Sequence, residues 1–244
     1  MKKKTKIILS VIAALVLVMG VAFTVYVNIY YHADDTAMKL LEDPASGITV
    51  TSANDRIVFE SADSDTGIIF YPGGKVQYEA YAPLMEQIAL RGITVVLLHM
   101  PFNLAVFDVN AADGIMEDYP DIDTWYMAGH SLGGAMAATY LYKNQSDYAG
   151  LILLAAYSTK DLSDSGLKVL SIYGSEDGVL ARDTYKENLK NLPEDYTEHV
   201  IEGGCHAYFG SYGAQKKDGT PTITADEQWQ ETAEVIYDFI NDAS

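Results

Sequence analysis

A single serine, Ser131, stands between Gly129 and Gly133 in the stretch YMAGHSLGGAMAATYLY, residues 126–142. An apolar run leads into it and small residues lead away, the pattern of a strand turning sharply into a helix. A side chain on such a turn sits on strained backbone, and bulk two positions to either side would collide with it; glycines relieve that. The turn exposes a hydroxyl above a helix N-terminus, whose field favours negative charge. A serine used as a nucleophile needs a base, and the base needs an orienting carboxylate. On this kind of turn the partners are expected in the chain order serine, acid, histidine, each on a loop after a strand. Two histidines follow Ser131. His199 falls inside the strand-like EHVIEG and reads as structural, whereas His206 follows it in GGCHAYFG, on a loop held by two glycines. His206 is therefore the candidate base. The loop in SIYGSEDGV offers Asp177 as the candidate acid, with Glu176 as the alternative and Asp161, Asp164 and Asp183 further off.

The reaction this set would serve is acyl transfer, and it needs N–H donors for the oxyanion. The backbone N–H of Leu132, next after the nucleophile, is one. The second is expected from the Pro-Gly-Gly turn in FYPGGKVQYEAYAPL, where a residue without a Cβ lets an amide face the site. Gly74 is assigned, with Gly73 or Lys75 as the alternatives if the turn is one residue out of register. Of the other histidines, His130 is expected to pack beside the nucleophile and His99 to be a satisfied core residue. Tyr157, Tyr208 and Tyr212 fall on loops where they either line the site or half-bury at loop bases. Cys205, the only cysteine, rules out an intramolecular disulfide and reads as a packed thiol. No His, Cys or Asp spacing matches a metal site, and the chemistry requires no cofactor.

Positioning these groups falls to strand-like runs at 48–52, 56–61, 67–71, 93–99, 124–129, 150–156, 167–174 and 198–203. Several are continuously apolar, as strands covered on both faces would be. Helical patterns cover 77–91, roughly 104–118, 132–143, 181–191 and 224–242. Three opening strands followed by alternating strands and helices predict a mostly parallel eight-stranded sheet flanked by helices. Sites in such sheets form in loops beyond the carboxyl ends of the strands, where Ser131, Asp177 and His206 all fall.

The chain of 244 residues is 49% hydrophobic and 20% charged, enough for one sizeable core. Four of its 16 basic residues, Lys2, Lys3, Lys4 and Lys6, precede all 34 acidic ones, so the remainder sets 12 cations against 34 anions, a net −22. Such a body repels phosphate backbones and argues against nucleic acid as a partner. Ile7 to Val27 carries no charge, and twenty-one helical residues span roughly 31 Å, about the hydrocarbon thickness of a bilayer. Residues 1–31 are accordingly expected to be a transmembrane anchor. The lysines place its N-terminus in the cytoplasm and the remaining chain outside. A cleaved signal peptide, with secretion of the rest, is the alternative; its apolar region is normally shorter, about 7–15 residues, and ends at a small-x-small site. Residues 32–47 read as a polar stalk and 48–244 as the catalytic domain.

The pieces YPGG…YAPL, RGITVVLLHMP, GHSLGG, GSEDGV and GGCHAYFGSYG together resemble the α/β-hydrolase superfamily, over roughly residues 48–242. The similarity is to its small bacterial branch of dienelactone-hydrolase-like and cutinase-like esterases. Dienelactone hydrolases themselves use a cysteine nucleophile, and Ser131 departs from that toward ordinary ester chemistry. The resemblance implies a Ser131–His206–Asp177 triad that passes an acyl group to water, without a cofactor. Lid domains in the superfamily usually follow the sixth strand, where AAYSTKDLSDSGLKVL leaves only about a dozen residues; a large cap is not expected. An open site suits small-molecule short-chain esters or an accessible polymeric ester. An acyltransferase or peptidase on the same triad is the second expectation, and a non-catalytic surface binding protein the third.

Overall fold

A computed structural model describes residues 3–62 and 64–242 of the chain. Lys2 of the basic cluster and residues 243–244 of the expected catalytic domain lie outside them. The chain divides into two compact units, Met1–Tyr30 and Tyr31–Ser244. The first is a single helix, α1 (Lys3–Asn28), whose most apolar stretch has a mean hydropathy of 2.8 over a length sufficient to cross a bilayer.

The second unit begins earlier than the expected stalk allows. Residues 32–47 are not a free polar linker: α2 (Asp35–Glu42) starts on Asp34, whose carboxylate accepts the N–H groups of Thr36 and Ala37. Ala37 is fully buried, and Leu40 and Leu41 pack against the core. Asp34 is further held by Ser211, which donates its Oγ–H to Oδ1 at 2.7 Å and accepts the Asp34 N–H on its carbonyl at 2.9 Å. The charged letters of HADDTAMKLLEDPASG occupy the outer face of a short amphipathic helix and conceal its apolar stripe.

All eight expected strands form: β1 (Ile48–Ser52), β2 (Arg56–Ser61), β3 (Thr66–Tyr71), β4 (Thr94–Leu98), β5 (Thr124–His130), β6 (Gly150–Leu154), β7 (Lys168–Gly174) and β8 (Thr197–Ile201). They make one sheet in the order β1-β2-β4-β3-β5-β6-β7-β8. The β1–β2 and β2–β4 pairs are antiparallel and the remaining ladders parallel. β3 and β5 are central and buried on both faces, which is why their sequences show no polar alternation. Side chains alternate between two cores. Ile68 and Phe70 of β3 join α3 (Ala82–Ala89) and α6 (Ala225–Asn241) on one face. Ile69 and Tyr71 join α4 (Leu132–Asn144) on the other.

The helix expected near 104–118 does not form. Its place is taken by isolated 3₁₀ turns at Pro101–Asn103, Ala105–Phe107 and Met116–Asp118. Phe102 and Asn103 adopt left-handed backbone, as does Gly114, which a continuous helix cannot accommodate. Leu104, Ala105, Ala112 and Ile115 are nevertheless buried, and their spacing is what resembled a helical stripe. Between β6 and β7, residues 155–167 hold only turns and bends, so no cap domain is inserted at that point.

Candidate active site

β5 ends at His130 and α4 begins at Leu132, so Ser131 alone makes the turn, at φ 52° and ψ −121°. Left-handed backbone at a non-glycine residue costs about 1–3 kcal/mol and persists only where its surroundings enforce it. The enforcement is visible. The Ser131 N–H donates to the Leu154 carbonyl of β6 at 2.9 Å, while its own carbonyl accepts from Ala135 in α4. Two positions on, a Cβ at Gly133 would run into the carbonyl oxygens of Tyr71 and Pro72. A Cβ at Gly129 would lie 2.6 Å from the Gly134 nitrogen. Both obstacles are backbone and cannot swing aside. Gly133→Ala is thus expected to destabilise the fold by about 3 kcal/mol, the upper end for overpacking, and to lower the melting temperature by roughly 6–12 °C, read by thermal unfolding.

Asp177 and His206 lie on the loops after β7 and β8 and meet: His206 Nδ1 is 2.8 Å from Asp177 Oδ2, with both side chains buried. The other oxygen, Oδ1, accepts the N–H groups of Val179 and Leu180, each at 2.8 Å. Burial alone would raise the Asp177 carboxyl. The hydrogen bond and charge of His206, joined by the Leu180 and Val179 N–H groups, outweigh it and hold the group below the usual aspartate value. An ionised Asp177 accepts a hydrogen bond from Nδ1–H, which leaves Nε2 as the basic nitrogen of His206. Ser131 and His206 open onto one cleft of about 400 Å³, walled by Leu132, Met136, Ala156 and Leu180. A cleft of similar size, about 410 Å³, lies between β7, β8 and α6 and contains none of these groups.

The Pro-Gly-Gly turn abuts the same place: a Cβ at Gly74 would lie 2.7 Å from Leu132 Cδ2. The neighbouring amides are already engaged. Gly73 N–H donates to the Tyr81 hydroxyl at 2.9 Å, and Lys75 N–H donates to the Asn103 carbonyl at 2.7 Å. Among the described residues no acceptor takes the Gly74 N–H, so of the three candidates it is the amide left available. Tyr81 in turn lies 2.8 Å from His130 Nδ1. Burial, with His206 beside it, holds the His130 imidazole well below its usual range and therefore neutral. Its ring packs on that of His206, the centroids 4.4 Å apart.

The remaining sequence candidates separate cleanly. His199 sits on β8, paired with Glu231 at 2.8 Å. His99 is not a core residue: it is exposed and stacks on Tyr78 at 4.6 Å. Glu176 precedes Asp177 but does not reach His206, and its carboxylate accepts from Ser175. Tyr157 lines the cleft, whereas Tyr212 is buried against Tyr31. Cys205 is buried, its thiol pushed up to about 12 by desolvation, and so is not a thiolate nucleophile at neutral pH. No group of three or more His, Cys, Asp or Glu among the described residues is arranged to hold a metal ion.

Two residues were not singled out by sequence. Gln228 of α6, fully buried, accepts the Cys205 N–H on Oε1 at 3.0 Å and returns Nε2–H to the Cys205 carbonyl at 2.9 Å. Asp218 accepts the N–H groups of His206 and Ala207 at 3.2 and 2.8 Å. The N–H groups of Cys205, His206 and Ala207 find no backbone acceptor among the described residues, and each buried N–H left unpaired would cost about 1–3 kcal/mol, so these side chains take that place. Nothing local in the sequence marks either one.

The profile of the alpha/beta hydrolase family matches residues 67–230, from β3 through the histidine loop into α6. The chain belongs to the α/β-hydrolase family. Solved α/β-hydrolase-like structures share the fold at low identity. Est1E from Butyrivibrio proteoclasticus is 13% identical at a TM-score of 0.57, over 80% of this chain and 99% of that one. Carboxyl esterase 2 from Tuber melanosporum is 12% identical at 0.59, over 86% and 90%. A dienelactone hydrolase from Anabaena variabilis is 11% identical at 0.57, over 80% and 97%. No curated protein matches this hydrolase in sequence. The family match identifies the chain as an α/β-hydrolase, and these neighbours share its fold.

Proposed function

We propose that this hydrolase cleaves carboxylic esters through a Ser131–His206–Asp177 triad and an acyl-enzyme. The observation that carries the proposal is the buried Asp177–His206 hydrogen bond opening onto the same cleft as the strained Ser131 turn. Ser131 Oγ attacks the ester carbonyl as His206 Nε2 takes its proton. The oxyanion is held by the N–H groups of Leu132 and Gly74. Collapse expels the alcohol, which receives the proton from His206. Water then attacks the acyl-enzyme by the same steps, returning Ser131 and releasing the acid.

The cleft walls are mostly small or apolar, and the β6–β7 connection inserts no cap domain over them, which favours short-chain or accessible acyl esters over a long buried lipid chain. The substrate is a small-molecule ester or an accessible polymeric one. The apolar α1 serves as a membrane anchor, with the N-terminus cytoplasmic and the catalytic unit extracytoplasmic.

The test uses the detergent-solubilised full chain on p-nitrophenyl acetate, butyrate and palmitate, with fluorophosphonate labelling in parallel. Turnover of the short esters together with labelling is the expected result. A preference for palmitate would overturn the short-acyl assignment, and absence of both turnover and labelling would overturn the esterase itself.

A further inference from the structure

We infer that Asp218 is a positioning residue that sets the Asp177–His206 pair, an inference that rests on the triad proposed above. One carboxylate joins the two loops that carry the pair. Its Oδ1 accepts the Gly178 N–H at 3.1 Å, immediately after Asp177, and the His206 N–H at 3.2 Å. Oδ1 also accepts the N–H of Gly219 at 2.9 Å, and Oδ2 accepts that of Ala207 at 2.8 Å. Four backbone dipoles converge on a single anion, and among the described residues no ion pair includes it.

The segment bearing Asp218 is pressed onto the acid loop. A Cβ at Gly178 would lie 2.5 Å from the Lys217 carbonyl, and one at Gly219 would collide with the Glu176 carbonyl. Lys217 itself adopts left-handed backbone at φ 74°, so the approach is maintained against local preference. Asp177 and His206 come from separate strands, β7 and β8, and the hydrogen bond between them is no stronger than the registration of their loops. Among the described residues, Asp218 is the side chain that bonds to the backbone of both.

Asparagine cannot replace it fully. An amide offers one acceptor oxygen, and its NH2 would confront the Ala207 N–H. The histidine loop does not depend on Asp218 alone for its fold, because Gln228 holds the Cys205 peptide from the other side. Removing Asp218 therefore loosens the distance between acid and base more than it unfolds either loop.

The test is a double-mutant cycle on p-nitrophenyl butyrate with the full chain: Asp218→Ala, Asp177→Ala and both together, with Ser131→Ala as the reference. Misplacing a catalytic group by about 1 Å costs about 10²-fold, so Asp218→Ala is expected to lower kcat about 10²-fold with KM within about threefold. Because it acts through Asp177, the same change in the Asp177→Ala background should cost less than about threefold. Asp218→Asn, which keeps Oδ1, is expected to lose about tenfold in kcat with the same dependence on Asp177, and it serves if the alanine variant does not fold. A kcat within about threefold of wild type, a loss confined to KM, or an equal loss in both backgrounds would overturn the inference while leaving the triad intact. Undiminished turnover by Ser131→Ala or Asp177→Ala would overturn the triad, and this inference with it.

Discussion

Ser131→Ala is expected to lower kcat on p-nitrophenyl butyrate by about 10⁶-fold, the scale of losing the nucleophile of a triad that works as a unit. Residual turnover would come from oxyanion stabilisation and binding alone, about 10³–10⁴ over water. Fold stability should be nearly unchanged, because Ser131 makes no side-chain cap to α4 and alanine suffers the same left-handed strain at φ 52°. That separates chemistry from folding in one variant. Ser131→Gly should be equally inactive yet more stable than Ser131→Ala by about 1 kcal/mol, since glycine accepts that backbone without strain. Thermal unfolding of the pair, read beside the kinetics, checks both halves. A Ser131→Ala enzyme retaining more than about a hundredth of wild-type kcat would place the nucleophile elsewhere.

Asp177→Asn is expected to lower kcat by about 10⁴-fold through the tautomer of His206. The surrounding amides decide which way the asparagine faces. Val179 and Leu180 donate to Oδ1, so the carbonyl must stay there and the NH2 must take the place of Oδ2 against His206 Nδ1. A donor at that point makes Nδ1 the acceptor, puts the proton on Nε2 and leaves no base toward Ser131. The same substitution changes the dependence of stability on pH. The folded carboxyl of Asp177 lies below its ordinary value of 3.8, so its contribution is fully present above that value. It is lost as pH falls through the lower folded value. Denaturant unfolding of wild type and Asp177→Asn at pH 7 and pH 3 should show the wild-type advantage shrinking at pH 3. A constant gap would mean that Asp177 is not held ionised by His206.

The parts of this hydrolase that were legible beforehand are those written in local chemistry. Continuous apolar runs located the central strands β3, β4, β5 and β6, because a strand covered on both faces favours little else, while shorter mixed runs located β1, β2 and β8. The two glycines around Ser131 declared a turn that no larger residue fits, as the carbonyls of Tyr71 and Pro72 demonstrate. The order serine, acid, histidine is the expectation for the kind of turn that Ser131 makes. Local pattern also misled. The stripe Leu104, Ala105, Ala112, Ile115 has a helical look, yet it is buried piecewise by turns that wrap over α4 and β4. Residues 32–47 have a polar composition, yet α2 docks because Ala37 buries fully and Leu40 and Leu41 pack beside it on one face.

The sequence by itself determined the strands and the serine turn, and it nominated His206 and Asp177 as candidate base and acid, since each of these readings rests on backbone sterics or on spacing within a few residues. Tertiary structure alone decided that β4 lies between β2 and β3, that the Gly73 and Lys75 amides are engaged while Gly74 finds no acceptor among the described residues, and that Asp218 and Gln228 hold the histidine loop. Those outcomes are side-chain and backbone contacts between segments far apart in the chain, and a hydrogen bond across such a distance leaves no periodicity in either segment from which to read it.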